Sequence, residues 1–237
     1  KGIAVCNTPG MNAVAVAELA MGHLISLDRF LPDQNAELKG GHWNKKKYSK
    51  AKGLKGRSLL VLGAGAIGRE VILRARAFGM RVSAFDIMLT PEKADELGVE
   101  FVESTRQSLL QALPQFDAIS LHIPAIEETK GMCDAEFFGA MRDGAYFINT
   151  SRGPVVDEAA LAEAVSSGRI RAGLDVYNNQ PSEKDVDWKP DIADVDGVYC
   201  THHCGASTDQ AQIAVADEVV RMVGVYKETG KPEHCVN

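Results

Sequence analysis

Apolar residues fall along this chain in two alternating patterns. Nearly continuous short runs occur at 59–62 (LLVL), 82–85 (VSAF), 117–123 (DAISLHI), 145–148 (AYFI) and 171–176 (RAGLDV). Runs of this kind mark strands buried on both faces. Shorter strand-like pieces are 2–6 (GIAVC), 101–102 and 197–200 (GVYC). Between them the spacing becomes helical. Val16, Leu19, Ala20, Leu24 and Leu27 share one face of a helix that Asn12 can cap and that should end near Leu31-Pro32. Helical stretches follow at 34–38, at 91–97 with Pro91 in the first turn, at 109–113 and at 135–141. Asp157 is placed to cap a helix bearing Leu161 and Val165 that Gly168 would stop. Ser207-x-x-Gln210 has the form of a capping box for a last helix running to about Glu228.

Alternation of this kind predicts an α/β fold: a doubly wound, mainly parallel sheet with helices on both faces. Ligands of such sheets sit at the carboxyl ends of the strands. The informative loops are therefore those after Leu62, Phe85, Ile123, Ile148, Val176 and Cys200.

The first of these loops has a recognisable form. The run 59–62 leads into Gly63-x-Gly65-x-x-Gly68, with Ala66 and Ile67 opening a helix, and the next strand ends on Asp86. Gly63 permits a sharp turn, Gly65 lets a pyrophosphate approach the backbone, and Gly68 lets the helix pack against the sheet. An acid at the position of Asp86 suits the adenosine ribose hydroxyls and repels a 2′-phosphate, which predicts NAD rather than NADP.

Composition narrows the partners. At 237 residues the chain suits one large or two modest domains, and 45% hydrophobic residues is ordinary for a globular protein. A net charge of −6 argues against nucleic acid and anionic membrane. The lysines at 45, 46, 47, 50, 52 and 55 read as a solvated loop. The most apolar stretch, 13–27, contains Glu18 and His23 and so reads as a buried helix. Five scattered cysteines fit reduced thiols in a cytoplasmic setting. The run from Cys200 to Cys204 holds two thiols and two imidazoles, but no second ligand pair has zinc spacing, so no metal is expected. The chain opens on Lys1 with no Met, within what reads as a strand, as a trimmed chain would.

Two loops carry groups for chemistry on an oxo acid. Arg152, in 149–161 (NTSRGPVVDEAAL), offers a planar fork for a carboxylate. His203, in 201–208 (THHCGAST), is a proton relay suited to neutral pH. Either alone reads equally well as a surface ion pair or a solvated histidine.

The ordered set GAGAIG, FD, NTSRGPVVDEAAL, AGLDVY and HCGAST, preceded by NTPGMNAVAVAELAMG, resembles the D-isomer-specific 2-hydroxyacid dehydrogenases. Within that family it is most similar to the D-3-phosphoglycerate dehydrogenase branch. The resemblance implies NAD-dependent oxidation and reduction of a D-2-hydroxyacid/2-oxoacid pair, with D-3-phosphoglycerate and serine biosynthesis first. Hydroxypyruvate, glyoxylate or D-lactate chemistry is the alternative, and a nucleotide-sensing corepressor-like protein the alternative of another class. It further implies that Arg152 binds the substrate carboxylate, that His203 is the acid/base and that Asp175 orients the nicotinamide. Thr150 and Gly205 would line the nicotinamide pocket, His122 and Pro124 would flank the cofactor, and Asn12 would lie on the substrate side. Trp43 would dock on a second subunit, giving a homodimer through the first long helix and the Trp43 arm.

Three departures from the family pattern stand out. Gln180 replaces a glutamate that pairs with the histidine, His202 replaces a proline before it, and the family's flavodoxin-like substrate lobe is largely missing. The implied division is 1–10 as a remnant of that lobe, 11–204 as the NAD-binding domain and 205–237 as a crossover helix returning to the lobe. A chain so divided is expected to keep cofactor affinity and to turn over poorly.

Overall fold

The computed structural model describes residues 2–237. Its strands are β1 (Ser58–Leu62), β2 (Arg81–Phe85), β3 (Glu100–Val102), β4 (Ala118–Leu121), β5 (Ala145–Asn149), β6 (Ile170–Leu174) and β7 (Val198–Cys200). They form one sheet in the order β3-β2-β1-β4-β5-β6-β7. Every neighbouring pair is parallel, so the expected mainly parallel sheet is parallel throughout its described strands. The strand order reverses between β1 and β4, which opens a crevice above their carboxyl ends.

The helices are α1 (Ala13–Arg29), α2 (Leu31–Lys39), α3 (Ala66–Ala77), α4 (Pro91–Leu97), α5 (Arg106–Ala112), α6 (Ala135–Ala140), α7 (Glu158–Ser166) and α8 (Asp209–Thr229). Continuous apolar strands are explained by two cores, one on each face. Side chains alternate across a strand. Leu60 and Leu62 therefore join Phe147, Phe137, Phe138 and Leu161 on one face. Leu59 and Val61 join Ile148, Val71, Leu24 and Leu27 on the other. Phe137, Phe138 and Phe147 meet edge to face.

Helix α1 is the buried helix that the sequence predicts, packed on α3, β5 and β6. Its carboxylate Asp28 is fully buried. It accepts hydrogen bonds from Lys52 N–H (3.2 Å), Gly53 N–H (3.0 Å), Arg57 Nη1 (3.3 Å) and Tyr146 Oη (3.2 Å). That knot ties the lysine-bearing arm to the sheet.

Four expectations need correction. Residues 2–6 do not form a strand of the sheet; they make a single antiparallel bridge, Cys6 to Cys235, with the far end of the chain. Asn12 stands at the start of α1 but its side chain makes no capping bond. α1 ends at Arg29, where Phe30 turns left-handed (φ 57°), and Pro32 sits inside the first turn of α2. The cap of α8 is Thr208, whose side chain accepts the Ala211 N–H, not Ser207. A proline without an N–H is tolerated at a first helical turn, which is why Pro32 opens a helix here.

α1 directs its apolar stripe into the domain, whereas Leu31, Leu38 and Trp43 of the following segment are exposed. α8 buries only Ala211 and leaves Ile213, Val219, Val220, Val223 and Tyr226 open. Among the described residues no helix is long and apolar enough to cross a membrane.

Candidate active site

Each glycine of the turn between β1 and α3 has a distinct geometric reason. Gly63 has φ 96°, and a Cβ there would lie 2.4 Å from the His122 carbonyl oxygen. A Cβ on Gly68 would lie 1.9 Å from the Gly63 carbonyl oxygen. A Cβ on Gly65 would meet nothing within 4 Å. The outer two glycines let backbones cross; the middle one faces open space. Ala66 and Ile67 follow as the first turn of α3, whose leading N–H groups have no helical acceptor. Asp86, at the end of β2, accepts the Ala64 N–H at 2.8 Å and the Met88 N–H at 2.7 Å. Its carboxylate is thereby held beside the turn.

A cleft of about 470 Å³ runs from this turn along the strand ends. Asn12, Ile67, His122, Pro124, Thr150, Arg152, Asp175, His203 and Gly205 all line it. These residues come from loops more than 190 positions apart in the chain, from Asn12 to Gly205. Of the paired histidines, His203 lines this cleft, and His202 lines only a separate cavity beside Cys200 and Trp188.

The loops are held in place by identifiable contacts. The buried Asn149 side chain accepts Ser151 N–H at 3.0 Å and donates to the Arg152 carbonyl at 3.0 Å, which folds the loop after β5. A Cβ on Gly153 would lie 2.2 Å from the Tyr177 carbonyl carbon. Only glycine lets the Arg152 loop lie that close to the loop after β6. Burial pushes His122 down to about 3, so its ring is neutral. His122 Nε2 bonds Ser120 Oγ at 2.8 Å, while its buried Nδ1 has no partner among the described residues. Thr150 Oγ1 is likewise buried and unpartnered.

Asp175 is 1% exposed and organises the loop that carries His203. It accepts Thr201 Oγ1 at 2.5 Å, Cys204 N–H at 3.0 Å and Gly205 N–H at 2.9 Å. His23 Nε2 lies 3.1 Å from the same Thr201 hydroxyl. The His23 side chain occupies the space that a side chain on Gly173 would need, its Cβ 2.8 Å and its ring 2.9 Å from a Cβ there. Sequence reading passed over Thr201 and His23. The available signal was a histidine on the apolar face of α1.

His203 adopts φ 51°, which turns its ring toward Gln180. Gln180 Oε1 accepts the Tyr177 N–H at 3.1 Å, so the amide nitrogen faces His203 Nδ1 at 2.5 Å. An amide NH₂ only donates. In this orientation the amide can bond only an Nδ1 that carries no proton.

A nicotinamide dinucleotide fits this arrangement. There is open approach at Gly65, a helix N-terminus for phosphates, a carboxylate beside the turn, and two unpartnered polar atoms at the far end. Comparison with known proteins agrees. Residues 21–205 match the family described as "D-isomer specific 2-hydroxyacid dehydrogenase, NAD binding domain". Hydroxypyruvate reductase of Thermotoga maritima is 41% identical over 97% of this chain and 71% of its own length. D-3-phosphoglycerate dehydrogenase of Methanocaldococcus jannaschii is 36% identical over 100% of this chain, which spans only 44% of that relative. The crystal structure of D-lactate dehydrogenase from Aquifex aeolicus, complexed with NAD and lactic acid, superposes with a TM-score of 0.81. Its sequence is 30% identical, and the match covers 96% of this chain and 70% of that one. The cofactor is NAD, and the chain belongs to the D-isomer specific 2-hydroxyacid dehydrogenase family.

Proposed function

We propose that this chain carries the cofactor and catalytic half of an enzyme that interconverts a D-2-hydroxyacid and its 2-oxoacid. The observation that carries the reading is the meeting of Arg152 and His203, from two different strand ends, in one cleft with Thr150 and Asp175. NAD, when bound, would supply the hydride acceptor or donor. Gly63, Gly65, Ala66, Ile67 and Gly68 would hold its pyrophosphate, and Asp86 would accept from its adenosine ribose. His122 and Pro124 flank it, and Thr150, Asp175 and Gly205 keep the nicotinamide end in place.

In this reading Arg152 grips the substrate carboxylate with two parallel N–H groups and draws charge from the carbonyl. Asn12 adds a hydrogen bond from the start of α1. His203 moves the proton between its Nε2 and the substrate oxygen. In the orientation seen, the Gln180 NH₂ group faces Nδ1; for Nε2 to accept the substrate proton in oxidation, the ring must carry its proton on Nδ1 and the amide must present Oε1 to it. Protonating Nδ1 requires the amide to rotate and give up the Tyr177 N–H. A carboxylate in that position would accept from Nδ1–H without that rotation.

The favoured substrate pair is D-3-phosphoglycerate and 3-phosphohydroxypyruvate, supported by similarity to phosphoglycerate dehydrogenases. Hydroxypyruvate or glyoxylate comes second, supported by the Thermotoga relative. Residues 1–10 and 205–237 are read as belonging with a substrate lobe, and the 237-residue chain alone as weakly active. A cytoplasmic homodimer is proposed through the exposed side of α1 and α2 and the Trp43 arm. The decisive experiment follows NADH consumption by the full-length protein with phosphohydroxypyruvate, hydroxypyruvate, glyoxylate and pyruvate. Activity on one of these that collapses in Arg152→Gln and His203→Asn supports the proposal. Inertness toward all four, with NADH bound, would overturn it.

A further inference from the structure

Two segments remote in sequence pair beside the end of α8, and two cysteines face each other at the centre of the pairing. Asn7 N–H bonds the His234 carbonyl at 3.2 Å, and Val236 N–H bonds the Val5 carbonyl at 2.9 Å. These two bonds flank Cys6 and Cys235, which makes them a directly opposed, non-hydrogen-bonded antiparallel pair. Cα atoms at such a pair lie about 4.5 Å apart, inside the roughly 4.4–6.8 Å range that a disulfide spans. The sulfurs are 3.5 Å apart.

Register is secured from both sides. Asn237 Oδ1 accepts Val5 N–H at 2.9 Å and its Nδ2 donates to the Ile3 carbonyl at 2.8 Å. Arg221, on α8, pairs with Glu233 at 2.8 Å and holds the tail against the helix. Both cysteines are exposed, so an oxidant in solution reaches them. The other thiols differ. Cys133 is buried, Cys200 lies beside Tyr177, and Cys204 donates to Asp175.

We propose that Cys6 and Cys235 form a redox-active site that closes to an intrachain disulfide on exposure to a peroxide or a small disulfide. With hydrogen peroxide, the Cys235 sulfur attacks one peroxide oxygen and the O–O bond breaks, releasing water and leaving a sulfenic acid. The Cys6 sulfur then attacks Cys235 Sγ, the S–O bond breaks, and a second water leaves with the Cys6 proton. Two thiols lose two electrons and two protons in all, and the peroxide is reduced to two waters. The bond would fix residues 3–7 to the tail and close the ends of the cleft formed with Val219, Val223 and Tyr226.

The test oxidises the full chain with hydrogen peroxide, and separately with oxidised glutathione, then maps peptides without reduction. The expected product is one Cys6–Cys235 linked peptide per chain, lost on dithiothreitol treatment. A rise in melting temperature of roughly 5–15 °C should accompany it, because the link removes a very long loop from the unfolded chain. Cys6→Ser should leave Cys235 as a sulfenic acid or mixed disulfide with no such rise. Cys6 is exposed, so this substitution leaves the fold intact. Separate modification of the two cysteines in the wild type, or linkage only between chains, would overturn the proposal.

Discussion

Gly65→Ala separates the cofactor role of the fingerprint turn from its structural role. Gly65 has φ −69° and ψ −163°, an extended conformation open to any residue. The added Cβ meets no atom within 4 Å. Two small effects on stability oppose each other. Reduced freedom in the unfolded chain stabilises by about 0.4–1 kcal/mol. Alanine is a poorer residue than glycine at the start of α3, which costs roughly 0.5–1 kcal/mol. The net change is near zero, within about 1 kcal/mol, and the melting temperature should move by no more than about 2–4 °C. Cofactor binding should respond very differently. In the proposed reading, a methyl group at that point stands where a phosphate oxygen approaches the N–H groups of Ala66 and Ile67. Losing one hydrogen bond to a charged oxygen costs about 1.5–3 kcal/mol, roughly 10- to 150-fold in Kd. NADH fluorescence titration and thermal melting on the same sample measure both quantities. Gly68→Ala is the contrast, because its Cβ would lie 1.9 Å from a backbone oxygen and must displace the helix. It should lower stability by about 1–3 kcal/mol as well as affinity. A Gly65→Ala protein that melts normally and binds NADH as tightly as wild type would refute the assignment of this turn to the pyrophosphate.

Gln180→Glu should raise the reduction rate several-fold at and above neutral pH, since a carboxylate accepts from a protonated Nδ1. A pH–rate profile superimposable on wild type would remove Gln180 from the mechanism. His122 is held neutral by burial at about 3 against an ordinary 6.5, so the fold loses stability as pH falls from 6.5 toward 3 and keeps all of it above. That range corresponds to at most about 5 kcal/mol, and His122→Phe should flatten the urea-measured acid loss by part of it. His23, also pushed down by burial, adds a loss of the same sign. Asp28→Ala should cost about 3–5 kcal/mol in urea unfolding, because it leaves Arg57 and two backbone N–H groups without their buried acceptor. A cost under about 1 kcal/mol would show that water replaces the carboxylate there.

Much of this protein is decided locally and was therefore legible in the sequence. Apolar runs without alternation specify strands covered on both faces, and the 3.6-residue spacing between them specifies helices, so the wound sheet follows. The fingerprint turn is legible for the same reason: Gly63 and Gly68 each answer a contact within the turn or with the adjoining strand, and Gly65 faces open space. Local signals fail where two segments compete for one role. Thr208 and not Ser207 caps α8, and the apolar run 2–6 bridges the far end of the chain instead of joining the sheet.

Only the tertiary structure decides the chemistry of individual groups. The sequence names Gln180 and His203, but the Tyr177 N–H is what aims the amide nitrogen at His203 Nδ1. It names Asp175, but the folded loop is what turns that carboxylate onto Thr201, Cys204 and Gly205. It scatters Cys6 and Cys235 to opposite ends, and the pairing of those ends sets their sulfurs 3.5 Å apart. The periodicity of a chain reports which faces are buried, because burial acts residue by residue. Hydrogen-bond direction, protonation and thiol pairing depend on atoms brought together from distant positions, and those exist only once the sheet has closed.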